Sequence, residues 1–397
     1  MSAARGQRGL DWLNFFVANV QTGFGPFVAV YLASQAWTQR DIGTALSIGT
    51  FAAMAGQLPA GAAVDALANK RFAALVACLS IAGSAVLLAA LPERLPVAVA
   101  EVLHGVASCM LAPAIAAMSL ALVGRDALGE RLGRNARFAA VGSGIAAAVL
   151  GTIGWYASER AVFYLTAILM VPAIITLHGI PAGSVTTPRT APKKDGILEA
   201  VRLLIGWPVL AFAACVLLFH LANAAMLPLV AGQITKSVGS RASLLIAACI
   251  VLPQLLVAWG SPLLGRAADR WGRRPVLMLT FLAVPVRGAL LALVPAGIPV
   301  VLVQSLDGIS AAGFGVVVPL VAADLTRGTN RFNLCMGLFG LAAGLGAAVS
   351  TALAGNLADR YSPATALAAL AASGLASVLV LFAGFRETRS ALANAEA

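Results

Sequence analysis

Charge is the first thing this sequence lacks: only 11% of its 397 residues are Asp, Glu, Lys or Arg, against about 25% in soluble domains. Aromatic residues make up 7% and hydrophobic residues 60%, and the mean hydropathy of +0.90 excludes a soluble globular fold. The few cysteines carry no chemistry. Cys78, Cys109, Cys215, Cys249 and Cys335 stand singly in apolar runs, without a CxxC pair or metal-ligand spacing, so no metal centre or disulfide framework is expected. Nor is there a Walker loop, or a polar stretch long enough to hold a catalytic or ATP-hydrolysing module. No enzyme, no primary pump and no cofactor is expected.

What the chain does have is apolar length. Runs such as 72–91, 276–294 and 365–385 each approach the roughly 20 residues that cross a bilayer as a helix, and the alternating ten-residue segments of an outer-membrane barrel are missing. Breaks at charged, Gly and Pro clusters give twelve spans, at roughly 11–37, 41–64, 72–91, 96–123, 137–157, 161–180, 207–234, 242–264, 276–295, 297–323, 332–356 and 362–385. The first is read as a true span and not a signal peptide, because the apolar run after Asp11 is long and contains no small-residue cleavage site before Pro26. With the N-terminus inside, twenty of the 27 basic residues fall on the cytoplasmic side, six fall outside, and Arg287 lies within a span. That bias places both termini in the cytoplasm of a cell inner (plasma) membrane. It also accounts for the pI of 10.2 with the lipid bilayer as partner and no nucleic acid.

The longest polar interruption separates six spans from six, which divides the chain into bundles at 1–180 and 207–397 with a cytoplasmic linker at 181–206. The two parts repeat each other. "GAAVDALANKR", from Gly61, returns 204 residues later as "GRAADRWGRRP", from Gly265, with Asp65 matching Asp269 and Lys70 matching Arg274. Gln21 pairs with Asn223 at an offset of 202, "EVLHG" at Glu101 pairs with "QSLDG" at Gln304 at an offset of 203, and "RF" opens the fifth and eleventh spans at Arg137 and Arg331. Near-constant offsets in one order imply a duplicated six-helix unit, the copies running parallel because six is even.

The loop Gly265, Asp269, Arg270, Gly272, Arg273, Arg274 resembles, position by position, the G-x-x-x-D-R-x-G-R-R signature of the major facilitator superfamily, and the resemblance covers the whole chain. It implies an all-α fold of twelve transmembrane helices in two parallel six-helix halves. A carboxylate at the inner end of a span is favoured beside a neighbouring helix N-terminus. In the family's arrangement the neighbours of Asp65 and Asp269 would be Arg331 and Arg137, so these residues, with Arg270, Arg273 and Arg274, are expected to form a conformational latch between the halves. Many proton-coupled exporters of the family carry Arg and Gln where this chain has Glu101 and His104.

Ionisable residues inside a span cost roughly 2.5 kcal/mol or more at its centre, so the few present need explaining. Arg287 and Asp307 lie at similar depth on either side of an outer hairpin, which fits a buried ion pair or a cation or proton site at Asp307. Glu101 and His104 are i,i+3 on the fourth span and share a face with Ser108. Glu101 has no basic residue at its depth on the third span, so Glu101, His104 and Asp307 are the proton-coupling candidates. Asn14, Gln21, His220, Asn223, Gln304 and Arg287 are the substrate-cavity candidates, against the plainer reading of interhelical packing. Pro26 and Pro228 should weaken the first and seventh spans at matching depth.

The expectation is a monomeric secondary transporter that moves a small, amphipathic organic molecule by alternating access, in exchange for protons and outward. The alternatives are a proton symporter for an organic anion, with Arg287 or His220 on the carboxylate, and a receptor or lipid-moving protein on the same scaffold.

Overall fold

The computed structural model describes residues 2–22, 24, 26–37, 39–181, 201–238, 242–295 and 297–389. Most of the expected linker lies outside them. Every regular element among these residues is a helix, and ten helices are long and apolar enough to cross a membrane by length and composition. The first unit is built from α1 (Ser2–Thr22), α2 (Pro26–Ser34), α3 (Gln39–Ala66), α4 (Lys70–Ala90), α5 (Arg94–Val123), α6 (Leu128–Tyr156) and α7 (Glu159–Gly179). The second half of the chain forms α8 (Trp207–Asn223), α9 (Met226–Val238), α10 (Ala242–Trp271), α11 (Arg273–Leu293), α12 (Ile298–Gln304), α13 (Leu306–Leu325), α14 (Phe332–Arg360) and α15 (Pro363–Gly384).

Packing confirms the duplication. In the first unit α3 and α4 both pack on α5, α4 on α7, and α7 on α1. In the second unit α10 and α11 both pack on the α12/α13 span, α11 on α15, and α15 on α8. The order of contacts is the same for these spans. The compact units nevertheless exchange short pieces of sequence: residues 330–337 pack with the first unit and residues 126–136 with the second.

Among the described residues three spans are interrupted. The first breaks between α1 and α2, and Pro26 opens the second piece. The seventh breaks between Asn223 and Met226, with Pro228 in the first turn of α9. Both prolines occupy the helix position where a missing N–H costs least. The tenth breaks at Ser305, between Gln304 and Leu306, and no proline marks it.

Several boundaries differ from the sequence reading, for one reason. The charged motif at Gly265 was read as a loop, yet α10 runs through it to Trp271 and only Gly272 turns the chain. Likewise α3 continues to Ala66, and α6 begins at Leu128, nine residues before the expected start. Within "LGERLGRNAR", Leu128, Arg131, Leu132 and Asn135 are buried, and the Arg131 side chain donates to Asn135 Oδ1 at 2.7 and 3.0 Å. Charge on one face of a helix had masked the i,i+3,i+4 pattern of the other.

Candidate functional site

In the first unit the membrane-buried polar groups form two neighbouring sets on α5. His104 Nε2 lies 3.2 Å from Gln21 Oε1 on α1 and 3.3 Å from Ser108 Oγ, and Gln21 Nε2 donates to Ser108 Oγ at 3.1 Å. The imidazole lies flat on Phe24 in the interruption of the first span, with ring centres 3.7 Å apart. One turn earlier on α5, Glu101 is 5% exposed and its Oε1 has no hydrogen-bond partner. Its other oxygen faces Gly49 of α3, and the absence of a side chain there is what admits it. The two residues expected to act together on one helix face therefore look at different neighbours: His104 towards α1, Glu101 towards α3. Asn14 donates to its own helix, to Leu10 O at 2.7 Å.

The second unit gathers its polar residues around Arg287, which is 1% exposed. Its Nη1 donates to Asp307 Oδ1 and its Nη2 to Asn223 Oδ1, while Met226 Sδ lies 3.2 Å from Nη2. Asn223 and Met226 flank the break of the seventh span, and Asp307 sits in the first turn of α13 just past the break of the tenth. Two interrupted spans thus meet one guanidinium. The ion pair deduced from depth is present, and the sequence reading missed Met226. Gln304 is buried with Oε1 unpartnered. His220 shares Nδ1 with Val216 O at 3.1 Å and is edged against Phe314, so the structure does not bring it to Arg287.

At the charged end the two carboxylates of the repeated motif find backbone N–H groups. Asp65 accepts from Asn333 N at 3.0 Å, Leu334 N at 2.8 Å and Asn333 Nδ2 at 2.6 Å. Asp269 accepts from Glu130 N at 3.0 Å and pairs with Arg273 at 3.3 Å. The expected partners were Arg331 and Arg137. Asp65 instead takes the first turn of α14, just past Arg331, and Asp269 the first turn of α6, seven residues before Arg137. Arg331 and Arg137 have contacts of their own. The motif glycines make this possible: a Cβ on Gly61 or Gly265 would collide with the carbonyl of Asn333 or Gly129. Glycine brings the helices together and the aspartate four residues later, on the same face, caps the neighbour.

Position in space also corrects the alignment of the two copies. Lys70 Nζ closes the end of α3, donating to Val64 O at 2.7 Å and Leu67 O at 2.8 Å. Its counterpart is Arg273, whose Nη1 donates to Ala268 O at 2.8 Å, and not Arg274. Arg273 Nε also reaches Asp324 Oδ2 at 3.0 Å. Asn69 caps α4 with its own side chain, whereas Gly272, at φ +100°, has none. Glu387, beyond the last helix, supplies the missing cap, accepting from Arg273 N and Arg274 N at 2.9 Å each. Arg274 stacks over Phe382, and Arg389 donates to the carbonyl of Arg270, whose residue is otherwise exposed. Glu387 and Asp324 had no signal in the sequence beyond being acidic.

Comparison with known proteins places these features in context. The family model described as Major Facilitator Superfamily matches residues 10–252 and 212–397. A protein of Mycobacterium tuberculosis (strain CDC 1551 / Oshkosh), named as an uncharacterized MFS-type transporter, is 33% identical over 389 residues, covering 94% of this chain and 92% of its own. The class B tetracycline resistance protein of Escherichia coli is 33% identical over 136 residues, or 34% of this chain and 33% of its own. Among solved structures, the E. coli fucose:proton symporter superposes with a TM-score of 0.75 at 13% identity, over 97% of this chain and 100% of its own. The human organic anion transporter MFSD10 gives 0.70 at 14%, over 96% and 100%.

Proposed function

The chain belongs to the major facilitator superfamily, and from that premise we propose that it exports a small amphipathic organic solute across the inner membrane in exchange for protons, with both termini in the cytoplasm. Glu101 carries the proposal. A carboxyl buried in a membrane-spanning helix, with one oxygen unpartnered and no ion pair among the described residues, is held at least cost in its protonated form and must lose that proton to water or to a partner when its surroundings open. Next to it, Gln21, His104 and Ser108 form a neutral hydrogen-bonded set stacked on Phe24. Such a set suits a solute with an aromatic or apolar body and a few polar groups.

The second unit supports the same reading. Arg287 is already neutralised by Asp307, so it offers no free charge to a solute anion. Partial identity to a tetracycline resistance protein agrees with a drug-like solute. Symport of an organic anion would need Arg287 to exchange Asp307 for the solute carboxylate.

The test uses the purified protein in proteoliposomes with an internal pH dye and a panel of amphipathic drugs, chelators and organic acids. Compound-driven proton movement in the wild type should disappear in Glu101→Gln and persist in Asp307→Asn. Equal transport by both variants removes Glu101 from the mechanism. Proton and solute moving in the same direction selects symport.

A further inference from the structure

Where α4 begins and α7 ends, the first unit holds a cavity of about 170 Å³ lined by Asn69, Arg71, Phe72, Leu75, Leu177 and His178. None of the residues discussed for transport lies in it. Its wall is two-sided in chemistry: Phe72, Leu75 and Leu177 are apolar, and Phe72 is 52% exposed, whereas Arg71 brings nitrogen donors. Asn69 is occupied, its side chain capping α4, and His178 Nδ1 is shared with Ile174 O at 2.8 Å. Arg71 is only half used. Its Nη2 donates to His178 O at 3.3 Å, and its Nε is buried without a hydrogen-bond partner.

The Nε edge of a guanidinium presents two parallel N–H groups, the geometry that takes two oxygens of one phosphate or carboxylate. An anion here would meet no acidic side chain among the lining residues, and a zwitterionic headgroup would find no carboxylate for its ammonium. Both helices are spans, so their ends lie at headgroup depth. A small water-soluble anion would leave the apolar wall and the exposed Phe72 unused. We propose that this cavity binds the phosphate of an anionic phospholipid, with an acyl chain running along Phe72 and Leu75, so that one lipid bridges α4 and α7, the third and sixth spans of the first bundle.

Native mass spectrometry of the full chain in detergent tests this, with phosphatidylglycerol, phosphatidylcholine and inorganic phosphate as probes. The expected result is retention of phosphatidylglycerol that weakens roughly tenfold in Arg71→Gln, as loss of a charge-assisted pair implies. Arg160→Gln, which removes the same charge from the exposed opposite end of α7, should leave it unchanged. Equal weakening by both variants would mean diffuse attraction, and would overturn the site. Arg71-dependent binding of inorganic phosphate that displaces the lipid at equal concentration would make it a soluble-anion site instead. Phe72→Ala keeps the guanidinium and guards against misfolding of the Arg71 variant: it should reduce lipid retention without altering phosphate binding, and unchanged lipid retention would refute the acyl-chain contact.

Discussion

Asp65 and Asp269 carry out one operation with different partners, and the difference sets what each is worth. Asp65 receives two backbone N–H bonds and one from the Asn333 side chain, whereas Asp269 combines backbone bonds from Glu130 and Gly129 with an ion pair from Arg273. Asparagine in place of Asp65 keeps the shape but loses the charge that strengthens three bonds, and should cost about 1.5–3 kcal/mol. The expected result is a lower thermal midpoint together with a shifted inward-to-outward ratio in a crosslinking assay; if these contacts act as a latch, both move, and a lowered midpoint alone leaves them as simple caps. At Arg287 the sign of the mutation depends on which partner goes. Asp307→Ala should destabilise by about 3–5 kcal/mol because it strands a buried cation, and adding Arg287→Met should recover most of that loss. Denaturant unfolding of the single and double variants checks it. This pair was legible in the sequence because depth along two helices joined by a hairpin can be counted. The partners of Asp65 and Asp269 were not, since a backbone N–H has no residue identity and the eye goes to the nearest arginine. Glu101 and His104 were found by position, but their divergence onto α3 and α1 depends on Gly49 and Phe24, which no helical spacing singles out.

At the scale of elements, the interruptions of the seventh and tenth spans matter most. The break after Asn223 is held open by Ser350, whose Oγ accepts from Ala225 N at 3.1 Å across from α14. In hydrocarbon a broken helix persists only where such partners or a cavity satisfy the freed groups. Ser350→Ala orphans that N–H and should cost about 1–3 kcal/mol, with faster hydrogen exchange confined to the residues around 224–226; exchange at the wild-type rate there would show that the break needs no outside support. Two of the three breaks could be expected from Pro26 and Pro228, which fix a helix start. The break at Ser305 has no such mark, and its cause lies in what surrounds it: the buried Gln304 on one side and the paired Asp307 on the other. Helix ends at the charged face were misread in the opposite direction. Sequence reading takes a run of Arg and Asp as loop, whereas here one face of α10 carries charge and the other carries Gly265 and Asp269 against the start of α6.

For the molecule as a whole, the packing order of the first, second, third, fourth and sixth spans returns in the seventh, eighth, ninth, tenth and twelfth, as the repeat in sequence implies. Small residues and apolar faces set that packing within each unit. A chain cut between residues 181 and 201, with the two parts co-expressed, should therefore assemble and co-purify; parts that fail to associate would show that the linker organises the fold. Glycine at 272, with its φ of +100° and Glu387 carboxyl oxygen 2.5 Å from where a Cβ would sit, makes the second unit depend on the segment that follows α15: Gly272→Ala should lower stability by about 1–3 kcal/mol. The same contact has a consequence in time. Synthesis runs from the N-terminus and folding follows it, so α4, capped by its own neighbour Asn69, can close its first turn as soon as it emerges. The first turn of α11 must wait, uncapped, for a glutamate translated more than a hundred residues later, so the signature motif of the second half is completed long after its own residues have emerged.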